Sequence, residues 1–400
     1  MTIRLAGAAL LLAACSLSAG ESFDWPNFRG PAHNGQSKEA GWSTKWPADG
    51  PKQLWKANVG TGFASFAVAN GKVYTLGNDK KDTDTVYCFD AEKGTEIWKK
   101  SYPCKLDPKY YAGGPSATPA VDGKFVYSMS KDGEVLCFDA EKGDIVWDKK
   151  FAEDLGAVRP DWGFGGSPLI DGDLLVLNIG SFGLAVEKAT GKVKWYSGKE
   201  KAGYATPVPY DANGKHAAII FTAPGAVGVD LADGKELWRF AWPTQYGVNA
   251  ADPILSGDKV FVASGYDTGS GLFKIEGAKA TEVWKSKVMR THMSGGVLIG
   301  EYVYGFDDTI LKCVTLADGT EKWKADGFGK GSLIAADGKL LVLGDKGILA
   351  VVAADPAGYK EIAKAQVLGG LCWATPVLAN GRVYCRNSDG NVVCLDVSGK

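Results

Sequence analysis

A short motif ending in tryptophan recurs along most of this 400-residue chain, and its period constrains the fold more than any other feature. Successive members lie 39 to 49 residues apart, and the last position is held by an isoleucine. The motif positions are Trp55, Trp98, Trp147, Trp195, Trp238, Trp284, Trp323 and Ile362. A repeat of about 40 to 50 residues with several short strands per unit is typical of a β-propeller with one blade per repeat.

The segment Ser116–Phe151 shows what one repeat contains. Its four apolar runs are separated by turn signals at Asp122-Gly123, Asp132-Gly133 and Lys142-Gly143. Asp-Gly and similar pairs supply the positive φ that tight hairpin turns require. Each repeat is therefore predicted to form a four-stranded antiparallel blade, and eight recurrences of the first turn predict an all-β, eight-bladed propeller. A linear solenoid is the alternative, but it would need polar capping repeats.

The two ends of the repeat region complement each other. Gln53–Ala57 has the pattern of a fourth strand with no strands before it, and the last repeat stops at Val397–Lys400, where its fourth strand would begin. We therefore predict that the N-terminal strand completes the last blade, which closes the ring and removes an exposed sheet edge. Residues 51–400 then form a single propeller domain.

Apolar pairs such as Leu54-Trp55 and Val146-Trp147 place apolar side chains on both faces of the fourth strand of a blade. This pattern predicts that neighbouring sheets cover both faces of that strand. The tryptophans are accordingly predicted to be core residues.

Residues 1–20 have the features of an export signal. Arg4 precedes a ten-residue apolar run, Leu5–Ala14, which is too short to span a bilayer. Leu12–Cys15 resembles the lipobox of bacterial lipoproteins, which predicts lipidation at Cys15; cleavage after Gly20 is the alternative. Residues 21–50 are interpreted as an N-terminal extension.

Charge and cysteine content narrow the function classes. The formal net charge is −1 with no basic block, so nucleic acid is not an expected partner. Beyond Cys15 the chain has an odd number of cysteines, for which no disulfide or metal site can be assigned. Four of them occupy one equivalent strand position and are predicted to be small buried hydrophobes, while the pairing of the other three stays open. The first group is Cys88, Cys137, Cys313 and Cys394, and the second is Cys104, Cys372 and Cys385. His33 in the extension and His216 after a turn are expected to be exposed.

The segments Phe89–Trp98 and Phe138–Trp147 resemble the tryptophan-docking repeat of the pyrroloquinoline-quinone (PQQ)-type propellers, and the resemblance covers residues 51–400. Asp24–Pro31 is similar to an N-terminal signature of secreted bacterial proteins in this group. The resemblance implies one of two functional kinds. One is the quinoprotein dehydrogenases, in which PQQ and calcium lie over the central channel. The other is cofactor-free propellers, such as that of the outer-membrane β-barrel assembly machine. This chain lacks the adjacent cysteine pair and the Cys-x-x-Cys-His motif that the dehydrogenases commonly carry.

A site is predicted on the loops that run from the last strand of one blade to the first strand of the next, because these loops surround the channel entrance. They concentrate aromatic, basic and amide side chains, which favours a surface for a ligand or peptide. The alternative is that the aromatic residues only plug the channel mouth. The candidate residues are Tyr111, Arg159, Asp161, Trp162, Tyr204, Tyr246, Asn249, Arg290, His292, Lys330 and Trp373.

Together these features predict an exported, monomeric binding or scaffolding protein of the periplasm. It would be anchored to the outer membrane through a lipid at Cys15 and would bind a protein or small molecule without catalysis or cofactor. The alternative is a PQQ-dependent dehydrogenase that uses PQQ and calcium to oxidise an alcohol or sugar.

Overall fold

The computed structural model describes residues 22–212 and 214–399, which form eight antiparallel sheets arranged as a propeller. The predicted fold class and blade count are confirmed. The predicted signal segment 1–20 and its Cys15 lie outside the described residues.

Each blade has an inner, two middle and an outer strand, named in the order in which they follow the first turn. Blade 1 comprises Ala67–Ala69, Lys72–Asn78, Thr83–Asp90 and Glu96–Pro103, and blade 2 comprises Ala120–Asp122, Phe125–Met129, Glu134–Asp139 and Ile145–Lys150. Blade 3 comprises Leu169–Asp171, Leu174–Leu177, Leu184–Glu187 and Val193–Tyr196, and blade 4 comprises Val208–Ala212, Lys215–Phe221, Gly225–Asp230 and Glu236–Ala241. Blade 5 comprises Ile254–Ser256, Lys259–Ser264, Gly269–Glu276 and Lys279–Ser286, and blade 6 comprises Val297–Ile299, Tyr302–Asp307, Ile310–Thr315 and Glu321–Ala325. Blade 7 comprises Ser332–Ala336, Lys339–Leu343, Ile348–Ala353 and Glu361–Gln366, and blade 8 comprises Val377–Ala379, Arg382–Arg386, Asn391–Asp396 and Gln53–Asn58. A short α-helix, Phe151–Leu155, and a 3₁₀ turn, Gln245–Gly247, follow the outer strands of blades 2 and 4. No described helix is long and apolar enough to cross a membrane.

The ring closes as predicted, through the N-terminal strand. Gln53–Asn58 pairs antiparallel with Asn391–Asp396, and Trp55 lies opposite Cys394. Blade 8 is thus built from both ends of the propeller domain, and the middle strand Asn391–Asp396 has partners on both sides.

The outer-strand tryptophans fasten each blade to the next. In blade 1, the Trp98 indole nitrogen donates a hydrogen bond of 3.0 Å to the Ala140 carbonyl of blade 2. Its ring lies against the turn at Gly143, where φ is +70° and an added Cβ would stand 2.5 Å from the indole. This turn therefore requires glycine for both its backbone and the contact. Five other tryptophans donate to a backbone carbonyl in the same way: Trp55, Trp147, Trp195, Trp284 and Trp323. Trp238 donates instead to the Tyr210 hydroxyl.

The assignment of Ile362 as the eighth member of the series was wrong by one residue. Ala363 lies opposite Val351, in the register that places Trp147 opposite Cys137, whereas the Ile362 side chain is 40% exposed. Blade 7 therefore has an alanine in the docking position. The carbonyl of Val397 in blade 8, equivalent to Ala140, accepts a 2.7 Å hydrogen bond from the backbone N–H of Ser43. The N-terminal extension thus substitutes for the missing tryptophan.

The expectation that both faces of the outer strands are covered was also wrong. Ile97, Val146 and Val283, which precede tryptophans, are exposed, whereas Leu54 and Leu237 are half-buried. In blades 1, 2 and 5 the outer strand thus leaves the face opposite its tryptophan open to solvent. The packing of sheet on sheet applies to the inner and middle strands.

The N-terminal extension runs across the channel, which is lined by the inner strands. Trp25 exchanges two backbone hydrogen bonds of 2.8 Å with Val68 on the inner strand of blade 1. The short strand Gln36–Ser37 pairs in parallel with Ala335-Ala336 on the inner strand of blade 7. The extension is therefore part of the core, and Trp25 is only 2% exposed.

The two histidines outside the entrance loops differ from each other. His216 is exposed, as expected. His33 is half-buried, contrary to expectation, and its backbone N–H donates to the Gly30 carbonyl in a turn of the extension. Burial, together with the charge of Arg29, lowers the pKa of His33 to about 4.

All seven cysteines among the described residues are buried and free. The prediction that Cys88, Cys137, Cys313 and Cys394 are small core residues is confirmed. Burial raises the pKa of each of these four thiols, which disfavours the reactive thiolate.

Candidate functional site

A cavity of about 740 Å³ lies over the channel, on the face formed by the loops between blades. This entrance cavity has a size suited to a small-molecule ligand. Phe28 of the extension belongs to its lining, so the segment that crosses the channel also contributes to the base of the cavity. The aromatic lining residues are Phe28, Phe63, Tyr110, Tyr111, Trp162, Tyr204, Tyr246, Tyr266, His292 and Trp373.

Small polar side chains just before the inner strands form a hydrogen-bonded arc at the base of the cavity. The backbone N–H of Thr118 donates to the Ser167 hydroxyl at 2.8 Å, and the N–H of Ser167 donates to the Thr206 hydroxyl at 3.0 Å. The N–H of Thr206 then donates to the Asp252 carboxylate at 2.8 Å. Each side chain therefore links its own blade to the preceding one and holds the inner strands in register around the channel.

The arc continues at blade 6 through Arg29 of the extension. The equivalent residue in blade 6 is Gly295, and the Arg29 guanidinium donates to the carbonyls of Gly295 at 3.1 Å and Gly296 at 2.6 Å. A Cβ on Gly295 would lie 2.8 Å from the Arg29 guanidinium. Arg29 also lies 3.9 Å from the buried Asp252 carboxylate. Burial raises the pKa of Asp252, and the charge of Arg29 opposes this rise.

One part of the cavity wall consists of aromatic rings set at steep angles to one another, whereas Phe63 and Trp373 elsewhere in the lining meet at 31°. The Trp162 ring is 6.1 Å from Tyr204 at 62° and 6.4 Å from Tyr246 at 72°. Tyr246 is followed by Tyr266 at 5.6 Å and 80°. Edge-to-face packing of this kind stabilises the cluster. It presents several ring faces to the cavity in different directions.

Three of the wall tyrosines have an unusual backbone. Tyr110, Tyr246 and Tyr266 have φ values of 65°, 67° and 51°. This left-handed region is disfavoured for bulky side chains and costs about 1–3 kcal/mol per residue. Tyr110 is nevertheless 92% exposed and Tyr246 56% exposed. Packing in the core therefore does not explain why tyrosine occupies these two strained positions. Strained residues of this kind cluster at binding sites.

The structure brings together most of the candidate residues predicted from the sequence. Seven line the entrance cavity: Tyr111, Asp161, Trp162, Tyr204, Tyr246, His292 and Trp373. The other four, Arg159, Asn249, Arg290 and Lys330, lie outside its lining.

These four side chains are engaged with other parts of the protein. Arg159 pairs with Asp107 at 2.9 Å and with Asp132 at 2.8 Å. Arg290 binds Asp307 through two nitrogens, and Lys330 lies 3.1 Å from Asp308. Asn249 is fully buried and bonds backbone carbonyls and the Ser264 hydroxyl.

The entrance cavity itself carries little unpaired charge. Asp161 accepts a hydrogen bond from Lys201, which lowers the pKa of this carboxyl. Burial lowers the pKa of His292, and the charge of Lys330 adds to the effect, so this imidazole is neutral at physiological pH. Among the described residues no group of three or more histidine, cysteine or acidic side chains is placed to hold a metal ion.

Sequence reasoning missed Phe28, Phe63, Tyr266 and the polar arc. A signal for the arc was present, because a short polar residue followed by proline precedes the inner strand in five blades. These pairs are Thr118-Pro119, Ser167-Pro168, Thr206-Pro207, Asp252-Pro253 and Thr375-Pro376. No repeat signal marks Phe28 or Arg29, since the extension occurs once.

Comparisons with known proteins agree with this architecture. A family model described as outer membrane protein assembly factor BamB matches residues 42–113, 82–325 and 307–400. A search of the curated proteins finds no match.

Three similar solved structures illustrate the range of proteins with this fold. BamB from Moraxella catarrhalis is 15% identical, with a TM-score of 0.61 over 86% of this chain and 97% of that one. A quinohemoprotein alcohol dehydrogenase from Comamonas testosteroni is 14% identical, with a TM-score of 0.67 over 94% of this chain and 81% of that one. The computationally designed protein Ika8 is 12% identical, with a TM-score of 0.59 over 86% of this chain and 100% of that one. An assembly factor, an enzyme and a designed protein share the fold, so these likenesses establish the fold alone.

Proposed function

This chain belongs to the PQQ-like β-propeller repeat family, and on that premise we propose that it is an exported binding protein that holds a ligand in its entrance cavity without catalysis. The observation that carries this proposal is the cavity itself. Aromatic side chains line it, and three of its tyrosines keep a strained backbone while two of them remain largely exposed. A binding role would account for the exposed rings, because a ligand would cover them, and strained residues are frequent at ligand sites.

The same cavity offers no evident catalytic group. Asp161 is bound by Lys201, Asp252 is buried beside Arg29, and His292 has no carboxylate hydrogen-bonded to it among the described residues. The cavity therefore holds no pair of side chains among the described residues in which a carboxylate orients a histidine as a general base.

The competing function is a PQQ-dependent dehydrogenase, which the alcohol dehydrogenase among the similar structures favours. The residues present do not fit that cofactor. A calcium ion near Asp252 would meet the Arg29 guanidinium, which opposes a cation. A negatively charged planar quinone would find Arg159, Arg290 and Lys330 already paired with carboxylates. The ring angles of 62° to 80° also leave no parallel slot along this part of the wall.

The experiment that tests this proposal compares two additions to the purified protein. The low-molecular-mass fraction of a bacterial periplasmic extract should raise the melting temperature, because a ligand that binds only the folded state stabilises it. The Trp162→Ala variant should show a much smaller rise. PQQ with calcium should give neither cofactor absorbance nor dye reduction with alcohols or sugars. Stoichiometric PQQ binding with dye reduction would establish the enzyme instead.

We further propose that the protein is exported and anchored to the outer membrane through Cys15. The family model's description, outer membrane protein assembly factor BamB, supports this location. Asp24 is held by Asn380 and Asn70 at first turns, on the face opposite the entrance cavity. An anchor at Cys15 would therefore leave the cavity facing away from the membrane. Mass spectrometry of the mature protein decides the point: a lipid-modified Cys15 is expected, and a free Glu21 amine would show cleavage after Gly20.

A further inference from the structure

We propose that the ligand of the entrance cavity is a neutral saccharide, either a short oligosaccharide or the end of a polysaccharide chain. This inference rests on the proposed binding function and deepens it. It follows from three independent properties of the cavity, namely the geometry of the aromatic wall, the hydroxyl groups at its base, and its charge.

The part of the aromatic wall formed by Trp162, Tyr246 and Tyr266 suits a puckered ring better than a flat one. Trp162, Tyr246 and Tyr266 follow one another at ring angles of 72° and 80°, so successive faces point in different directions. A planar aromatic ligand binds best between parallel rings. A saccharide instead presents C–H groups on its faces, and the electron-rich face of an aromatic ring attracts such weakly positive hydrogens. Several faces at steep angles can contact several sugar faces at once.

The base of the cavity supplies hydrogen-bond donors for sugar hydroxyls. The oxygens of Ser167 and Thr206 each accept a backbone N–H, which leaves their O–H protons to donate. Within the described chain neither proton has a protein acceptor, and both side chains line the cavity. A buried donor without a partner is costly, so a ligand oxygen or water is expected there. Sugar hydroxyls can accept these protons and donate to other groups in turn.

The charge of the cavity favours a neutral ligand. The Asp161 carboxylate is paired with Lys201, the Asp252 carboxylate lies beside Arg29, and His292 is neutral. Lys109 is the remaining cation in the lining, and its ammonium group lies 5.8 Å from the centre of the Trp162 ring. An acidic glycan would need several free cations, and the lining does not provide them.

The strained tyrosines give this proposal a test that separates binding from structure. Glycine adopts positive φ without strain, so Tyr110→Gly should keep or raise the melting temperature while it removes a ring that contacts the ligand. A purely structural role would have the opposite signature, with a lower melting temperature and unchanged binding. Trp162→Ala removes the central ring of the wall. Tyr302→Ala is the matched control, because Tyr302 follows the first turn of blade 6 on the opposite face.

The experiment is a glycan array that carries neutral and acidic glycans, followed by calorimetric titration with the best neutral oligosaccharide. We expect neutral glycans to bind and Trp162→Ala to weaken binding at least about tenfold, as for an aromatic side chain central to an interface. Tyr110→Gly, at the exposed rim, should weaken binding measurably but less. Tyr302→Ala should bind like the unmodified protein. Competition by the free oligosaccharide against the immobilised polymer distinguishes a short ligand from a chain end.

Binding of acidic glycans alone, or of no glycan, would overturn the saccharide assignment. Neutral-glycan binding that both variants retain would place the saccharide outside the entrance cavity. These results leave the proposed function intact if the periplasmic fraction still raises the melting temperature. Dye reduction with PQQ and calcium, in contrast, would overturn the proposed function itself.

Discussion

A chain in which residues 51–60 are replaced by a flexible glycine-serine linker should no longer form a closed, monomeric ring. The replacement removes the strand Gln53–Asn58 from blade 8 and exposes the edge of Asn391–Asp396. It also removes Trp55, whose indole nitrogen donates to Ala91 in blade 1 at 3.1 Å. An unpaired sheet edge promotes aggregation or exchange between chains.

Light scattering and thermal unfolding check this prediction. Because the linker keeps the N-terminal extension attached, any change can be assigned to the missing strand and not to loss of the extension. Trp55→Ala is the companion variant, because it keeps the strand but loses the docking contact. It should stay monomeric with a lower melting temperature. A linker variant that remains monomeric with an unchanged melting temperature would show that the N-terminal strand does not close the ring.

Trp25→Ala and Trp147→Ala should destabilise the protein by similar amounts, about 3–5 kcal/mol each, as expected when a buried tryptophan site is emptied. Trp147 is 8% exposed and fastens blade 2 to blade 3. Trp25 is even more buried, at 2% exposed, although it lies in the extension, because it bridges to Val68 and packs against Gly30.

Urea unfolding of both variants measures these losses. Val146→Ala serves as the control, since Val146 is 46% exposed and its truncation should cost less than about 0.5 kcal/mol. A Trp25→Ala variant as stable as Val146→Ala would mean that the extension only lies on the surface of the propeller.

The propeller itself could be predicted because the same sequence pattern recurs in almost every blade. Each blade supplies the same glycine turns and the same tryptophan position, so errors in one repeat are corrected by the others. The misplacement of the eighth position at Ile362 shows the limit of this reasoning. Blade 7 has no tryptophan, and only the strand register reveals that Ala363 occupies the docking position.

The path of the extension could not be predicted, because it occurs once and has no hydrophobic periodicity. Its residues are placed by partners far away in sequence, such as Gly295 for Arg29 and Ala335 for Gln36. For the same reason the sequence located the loops around the entrance cavity but not its base. Which side chains are free to bind a ligand depends on ion pairs between loops, such as that of Arg159 with Asp107.

The extension changes what the central channel can do. Arg29 joins blades 5 and 6, while Trp25 and Gln36 pair with blades 1 and 7. These contacts place the extension across the channel from one side to the other. A ligand in the entrance cavity would therefore rest partly on the extension, through Phe28.

The central claim, that the entrance cavity is the ligand site, is tested most directly by chemical protection of a cysteine placed inside it. Ser116 lines the cavity, and all native cysteines in the described chain are buried, so Ser116→Cys provides a single reactive thiol in a protein that begins at Glu21. Ser256→Cys, at the first turn of blade 5 on the opposite face, is the control. We expect the low-molecular-mass periplasmic fraction to slow maleimide labelling of Cys at position 116 and to leave labelling at position 256 unchanged. A fraction that raises the melting temperature yet leaves labelling at position 116 unchanged would place the ligand elsewhere and contradict the account.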